Sequence, residues 1–371
     1  MTALERAPLL DCPGAPGPSS GSDHFEETTM KSHFKSLATL ALAGMMTLAA
    51  DIAPAAETLR FTWTDPDDPT TVATAAEMHV FKSTFERLTG GRYIVELYPN
   101  GQLGDQRSMI QQVRRGTIHA ANIASGVLAS LYTPKLGIVD LPFVFKSRAH
   151  LRAALSNDNP FIHQLLDEVA KDSGIRILSL NPYGFRSLTT RDTVVQKPKD
   201  VAGLKIRTME VVPHQEMMKS FGATPVPIPY LELYTSLQTG VVDGEENTPS
   251  NIIQQRFYQV QKNLTLTQHL MTVGAVITNE KWFQSLPPED RKAFIDAEKE
   301  ARLAHDGIGA VQDLLALGKL KELGMSIYAP TPEEMAAFRK TAEGPARNWA
   351  GAQWGKEFVD AFYSTIEAAD R

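Results

Sequence analysis

The stretch GLKIRTMEVVPHQEMMKSFGATPVPIPYLELYTSLQTGVVDGEEN, residues 203–247, decides the fold. LKIRTM (204–209) alternates like a strand, with Leu204, Ile206 and Thr208 on one face and Lys205, Arg207 and Met209 on the other. After it the pattern predicts a helix from about 213 to 221 and a strand near ATPVPI (223–228). A helix over 230–238 follows, then a strand in VVDG (241–244) that ends in a turn. Strands and helices alternating in this way predict an α/β unit built on a mainly parallel sheet.

The same alternation extends upstream. LRFTW (59–63) and YIVELY (93–98) read as strands, and Val72, Ala76, Val80, Phe81, Phe85 and Leu88 recur at helical spacing between them. A helix is expected over 105–115, stopped by Gly116, then a strand near 117–123 and another in GIRILSL (174–180). Between Pro288 and Ile327 there is no further proline, and apolar residues persist at helical spacing. This predicts one long helix, with Gly307 and Gly318 as the places where it would break. Thirty helical residues span ~45 Å, longer than one lobe is wide, so the helix is expected to tie two lobes together.

The expected organisation is therefore an N-terminal extension and export signal over 1–56, a discontinuous first lobe over 57–182 and 273–312, and a second lobe over 183–272 and 313–371 with C-terminal helices. Met30 reads as the start of the export signal: Lys31 and Lys35 give a positive beginning, SLATLALAGMMTLAA (36–50) a short apolar core, and Ala53-Pro54-Ala55-Ala56 a small-residue exit. The apolar stretch falls short of the roughly 20 residues of a membrane span. Cys12 is the only cysteine, so the chain forms no internal disulfide and no cysteine-based metal cage. A net charge of -6, with no basic run alternating with aromatics, argues against nucleic acid as a partner.

Motifs for catalysis are missing. The nine histidines show no HExxH, and no GxSxG, GxGxxG or GxxxxGKS/T loop occurs. Glu245 and Glu246 are adjacent; on an extended chain they face opposite ways and do not jointly flank one bond. They read as a solvated acidic turn shaped by Asp243 and Gly244. The rival reading is a secreted hydrolase or lyase using Glu210, Glu245 or Glu246 as acid or base. Arg207 stands near the end of its strand, where open α/β sheets bind ligands, and its planar fork of donors matches a carboxylate. An isolated arginine there also reads as a surface ion pair.

Six segments together resemble one family: TGGRYIVELYPNGQLGDQRSMIQQVRRGTI (89–118), VDLPFVF (139–145), YGFRSLTT (183–190), GLKIRTME (203–210), FGATPVPIPYLELYTSLQTGVVDGEENTPSNI (221–252) and FYQVQKNLTLTQH (257–269). Their order is similar to that of the extracytoplasmic solute-binding proteins of tripartite ATP-independent periplasmic (TRAP) transporters, in the dicarboxylate-binding branch. The resemblance implies a two-lobed periplasmic-binding-protein fold that closes over a small organic acid and hands it to the membrane subunits of the transporter. It implies a periplasmic monomer, no cofactor and no catalysis. By the same resemblance Arg207 is the principal carboxylate clamp, Arg186 the second cationic contact, Asn247 an amide ligand, and Tyr230 an aromatic wall. Glu210 sits where relatives vary with substrate, and Thr64, Gln106 and Ser125 fall at first-lobe positions that face the cleft. Ala124 stands where sialate-binding members carry an acidic residue, which argues against a sialate ligand. His119 replaces the usual aspartate and is taken as structural.

Overall fold

The computed structural model describes residues 56–369, which form one nine-stranded sheet flanked by helices. In chain order the first elements are β1 (Glu57–Thr62), α1 (Ala73–Leu88), β2 (Tyr93–Tyr98), α2 (Gln106–Arg115), β3 (Ala120–Ala124), α3 (Ser125–Leu131), α4 (Arg148–Ala154), α5 (Pro160–Ser173) and β4 (Ile175–Thr190). They are followed by β5 (Lys205–Thr208), α6 (Val212–Ser220), β6 (Thr224–Pro227), α7 (Leu233–Thr239), β7 (Gly244–Asn247), α8 (Pro249–Gln254), β8 (Asn263–Asn279) and α9 (Glu280–Ser285). The chain closes with α10 (Pro288–Glu322), β9 (Ser326–Tyr328), α11 (Pro332–Trp354) and α12 (Lys356–Ala368).

The strand order is β2-β1-β3-β8-β4-β7-β5-β6, with β9 beside β8. Pairings are parallel at both ends of the sheet, β1 with β2 and β3 at one and β5 with β6 and β7 at the other. The centre is an antiparallel spine of two long strands, β4 and β8. Alternation along β1 buries Leu59 and Phe61 beneath α1 and α10, where Phe81 and Phe294 meet edge to face at 4.8 Å. At the other end of α10, Leu320 belongs to a second core with Leu233, Leu237, Ile252 and Phe257. One helix thus contributes side chains to two separate hydrophobic cores.

That helix runs unbroken for 35 residues. Gly307 and Gly318 do not interrupt it; both face open space, where the missing side chain costs only helix propensity. The strand expected in VVDG is shifted: pairing begins at Gly244 and the strand is GEEN itself. Asp243 is held just ahead of it, its carboxylate accepting from Lys205 N at 2.8 Å. A Cβ at position 244 would come within 2.2 Å of the Thr189 carbonyl, so only glycine lets β7 approach β4 this closely.

One strand runs further than the pattern suggested, and another was not anticipated. β4 continues through Pro182 and Gly184, residues that usually end a strand, because register shifts between Ile177 and Ser179, Pro182 and Gly184, and Arg186 and Leu188 absorb them. β8, NLTLTQHLMTVGAVITN, is rich in β-branched residues and pairs with β4 along almost its whole length. The lobe boundaries expected at 182/183 and 272/273 fall inside these strands, at the middle register shift. The expected export signal lies outside the described residues. No helix among the described residues is long and apolar enough to cross a membrane.

Candidate functional site

The sheet brings Arg207, Arg186 and Asn247 together from three strands. Arg207 on β5 stands between Val226 of β6 and Glu245 of β7, while Asn247 at the end of β7 pairs with Ser187, next to Arg186 on β4. Tyr230 follows β6 on a short 3-10 turn, Tyr230–Glu232. Thr64 follows β1, and Gln106 opens α2, whose first turn is capped by the Asp105 carboxylate accepting from Ser108 N at 2.8 Å.

Arg207 is almost wholly buried. Its Nε and Nη2 donate to the Ile228 carbonyl at 2.9 and 2.7 Å, and Nη1 has no partner. Burial, with Arg186 nearby, pushes its pKa down to about 10, still charged at neutral pH. The Asn247 amide accepts at Oδ1 from Thr248 N at 2.9 Å, while its Nδ2 donor is buried and unpartnered. The Tyr230 hydroxyl is likewise buried without a hydrogen bond. Three buried polar groups left unsatisfied on one cavity wall are uncommon in a folded chain.

Arg186 is in a different state. Its Nε is paired with Glu246, Nη2 lies 2.9 Å from the same carboxylate, and Nη1 reaches Asn247 Oδ1 and Thr272 Oγ1, each at 3.2 Å. Burial alone drives the Glu246 pKa upward, but Arg186, His214 and His269 outweigh it and hold the carboxylate well below its usual range. His214 bridges Glu246 and Asp140, at 3.4 Å from each. His269 Nε2 lies 3.2 Å from Glu246.

This overturns the acidic turn expected at Glu245 and Glu246. Both are fully buried strand residues. They do take different partners, as adjacent strand positions should: Glu246 meets Arg186 and two histidines, and Glu245 accepts from Thr189 Oγ1 at 3.0 Å. Burial raises the Glu245 carboxyl to about 7. The surface ion pair considered for Arg207 is also not what forms.

Arg207, Arg186, Asn247, Tyr230, Thr64 and Gln106 all line one cavity of about 30 Å³, together with Asp65, Ala124, Tyr183, Met209, Asn251 and Thr272. A second space of about 20 Å³ shares several of these walls and adds Glu210 and Asp105. Glu210 is thus at the flank, 3.5 Å from Arg107, and partly exposed. Gln106 bridges part of the wall, donating to Thr64 Oγ1 at 3.4 Å and accepting from Ala124 N at 2.9 Å. Ser125 is buried at the start of α3 and does not line either space; its neighbour Ala124 does. His119 lies away from this wall, accepting from Arg60 N at 3.0 Å and packing on Trp282.

Sequence reasoning missed Asp65, Tyr183 and Thr272. Asp65 follows Thr64 at the carboxyl end of β1, the edge where ligands gather in such sheets, and that position was the available signal. Tyr183 was out of reach: its ring fits because position 274 on the facing strand is glycine, where a Cβ would lie 1.9 Å from the ring.

The family model for bacterial extracellular solute-binding protein, family 7, matches residues 66–350. A solute-binding protein of Verminephrobacter eiseniae is 37% identical over 259 residues, covering 67% of this chain and 76% of the relative. The crystal structure of a TRAP periplasmic solute-binding protein from Polaromonas sp. JS666 bound to D-erythronate is similar at 31% identity and TM-score 0.77, covering 83% of this chain and 98% of that one. A counterpart from Sulfurospirillum deleyianum with bound succinate aligns at 28% identity and TM-score 0.77, covering 84% and 99%. The chain belongs to the family of extracytoplasmic solute-binding proteins that serve TRAP transporters, receptors that work in the periplasm beside a membrane transporter.

Proposed function

We propose that this protein captures a small organic acid between two lobes and delivers it to the membrane subunits of a TRAP transporter. The observation that carries the reading is the set of buried, unpartnered groups on one cavity: Arg207 Nη1, Asn247 Nδ2 and the Tyr230 hydroxyl. A carboxylate placed against Arg207 satisfies the first with a charge-assisted pair, and the amide donates to the same ligand. Arg186 contributes position more than charge, since Glu246 already neutralises it.

The cavity holds about one water molecule, so an acid enters only when its walls part. The lobes in this reading are 57–182 with 273–312 and 183–272 with 313–371. Thr64, Gln106 and Ala124 come from the first, and Arg207, Tyr230 and Asn247 from the second, so a ligand touching both sets favours the closed form by contacts made only there. Micromolar affinity needs about -8 kcal/mol, within reach of one buried charge pair and several hydrogen bonds after ordering costs. The chain reaches the periplasm, in this reading, through the export signal beginning at Met30.

The carboxylates considered for catalysis support binding instead: Glu246 is tied to Arg186, Glu245 to Thr189, and Glu210 lies near Arg107. Thermal denaturation with a panel of organic acids tests the proposal. At least one acid raises the melting temperature of the wild type, and Arg207→Ala removes that rise while leaving the unliganded melting temperature within a few degrees. An undiminished rise in the variant takes Arg207 out of the site.

A further inference from the structure

We propose that the cavity selects a hydroxylated acid with a single carboxylate over a dicarboxylate, and that Asp65 makes the distinction. This rests on the receptor reading above and deepens it, because the structures similar to this chain hold acids of both kinds.

The charges on the wall are few. Two guanidinium groups line the cavity, but Arg186 spends its charge on Glu246, leaving Arg207 as the lining cation without a carboxylate in contact. One carboxylate also lines it: Asp65, 8% exposed. Its Oδ2 accepts from Thr74 Oγ1 at 2.8 Å, and the Tyr230 hydroxyl stands beside it, yet it makes no ion pair among the described residues.

A ligand carboxylate on Arg207 uses the uncompensated positive charge. A second ligand carboxylate then finds no free cation, and meets Asp65 in a water-poor space where like charges repel strongly. A hydroxyl in that place donates to Asp65 and is welcome. The remaining polar groups on the wall, Thr64, Gln106, Tyr230, Asn247, Asn251 and Thr272, are neutral donors and acceptors suited to further hydroxyls. Burial of Asp65 without a cation is costly for the empty protein. A ligand hydroxyl supplies a further hydrogen bond to its carboxylate.

The test uses matched acids in titration calorimetry at neutral pH, with wild type and Asp65→Asn: erythronate against tartrate, galactonate against galactarate, and 4-aminobutyrate as a zwitterion. Each of the first two pairs keeps chain length and differs by the second carboxylate. The expected result is at least ten-fold tighter binding of the monocarboxylate in whichever pair fits the wild type. Asp65→Asn narrows that ratio ten-fold or more, chiefly by gaining affinity for the dicarboxylate, with an unliganded melting temperature at or above that of wild type. A dicarboxylate bound as tightly as its partner in the wild type, or a ratio unmoved in Asp65→Asn, overturns the proposal, and so does tightest binding of 4-aminobutyrate, which makes Asp65 an ammonium site. In each of those cases the receptor reading survives if Arg207→Ala abolishes the binding observed. Failure of every acid to bind sinks both.

Discussion

Glu246 and Glu77 are both glutamates with no exposed surface, and their surroundings move their pKa values in opposite directions. Glu246, behind Arg186 on the cavity wall, is held as a carboxylate by that arginine with His214 and His269. Glu77 on α1 sits under the long helix α10, where burial raises it to about 8 against help from Glu298, Arg302, Asn181 and Asn122. Glu298 on α10 is raised further, by burial and then by Glu77 itself. Asn122 and Asn181 donate to Glu77, Ser179 donates to Glu298, and His305 lies 3.2 Å from Glu77 while burial drives it down to about 4, neutral at pH 7. Burial acts alike on both clusters; a guanidinium in contact decides which one keeps its charge.

Removing that guanidinium breaks the comparison most severely. Arg186→Ala leaves Glu246 buried without its main partner and is expected to cost ~3–5 kcal/mol, read as a lower midpoint in urea unfolding. A midpoint within error of wild type means that the two histidines suffice. Next comes Arg207→Ala, whose guanidinium has no carboxylate to strand. It is expected to lose binding at least a hundred-fold, measured by calorimetry, with little change in unfolding. The contrast between the two arginines, one paired with a carboxylate and one not, fails if both variants unfold alike.

Asn247→Ala is expected to weaken binding by ~1–3 kcal/mol, the cost of a lost buried hydrogen bond, seen as a smaller ligand-induced thermal shift. The smallest effect, read at acid pH, belongs to Glu77→Gln. The folded-state value of Glu77 is raised from 4.5 to about 8, so the native state keeps a proton that the unfolded chain releases. Stability from this group is complete below about 4.5 and declines as pH climbs toward 8. Glu77→Gln, neutral throughout, is expected to match wild type near pH 4.5 and to gain on it as pH climbs, flattening that decline. An unaltered slope shows that the proton resides elsewhere in the cluster.

The two clusters also differ in how far the sequence announced them. Arg207, Arg186, Asn247 and Tyr230 lie in runs whose order is distinctive of the family, and LKIRTM alone already placed Arg207 near a strand end. The charge states were hidden, because Glu246 reads as one member of an acidic turn until β4 is seen beside it, and β4 was cut short by Pro182 and Gly184. Glu77, Glu298 and His305 fall on helices at ordinary spacing, and only packing of α1 against α10 reveals them as neighbours. Local pattern carries periodicity and strand ends; it does not carry which distant side chains share a dry space. Asp65 belongs to that second kind.

β4 and β8 cross the middle of the sheet hydrogen-bonded side by side, and their ladder slips at Pro182 and Gly184, next to Tyr183 and Arg186 on the cavity wall. If the walls part to admit a guest, this seam flexes while the pairing on either side of it stays intact. Such a connection behaves as a stiff leaf spring, storing elastic work when bent and returning it as the gap shuts. In that case the few residues around the slip are the place where substitution would change how long the guest stays.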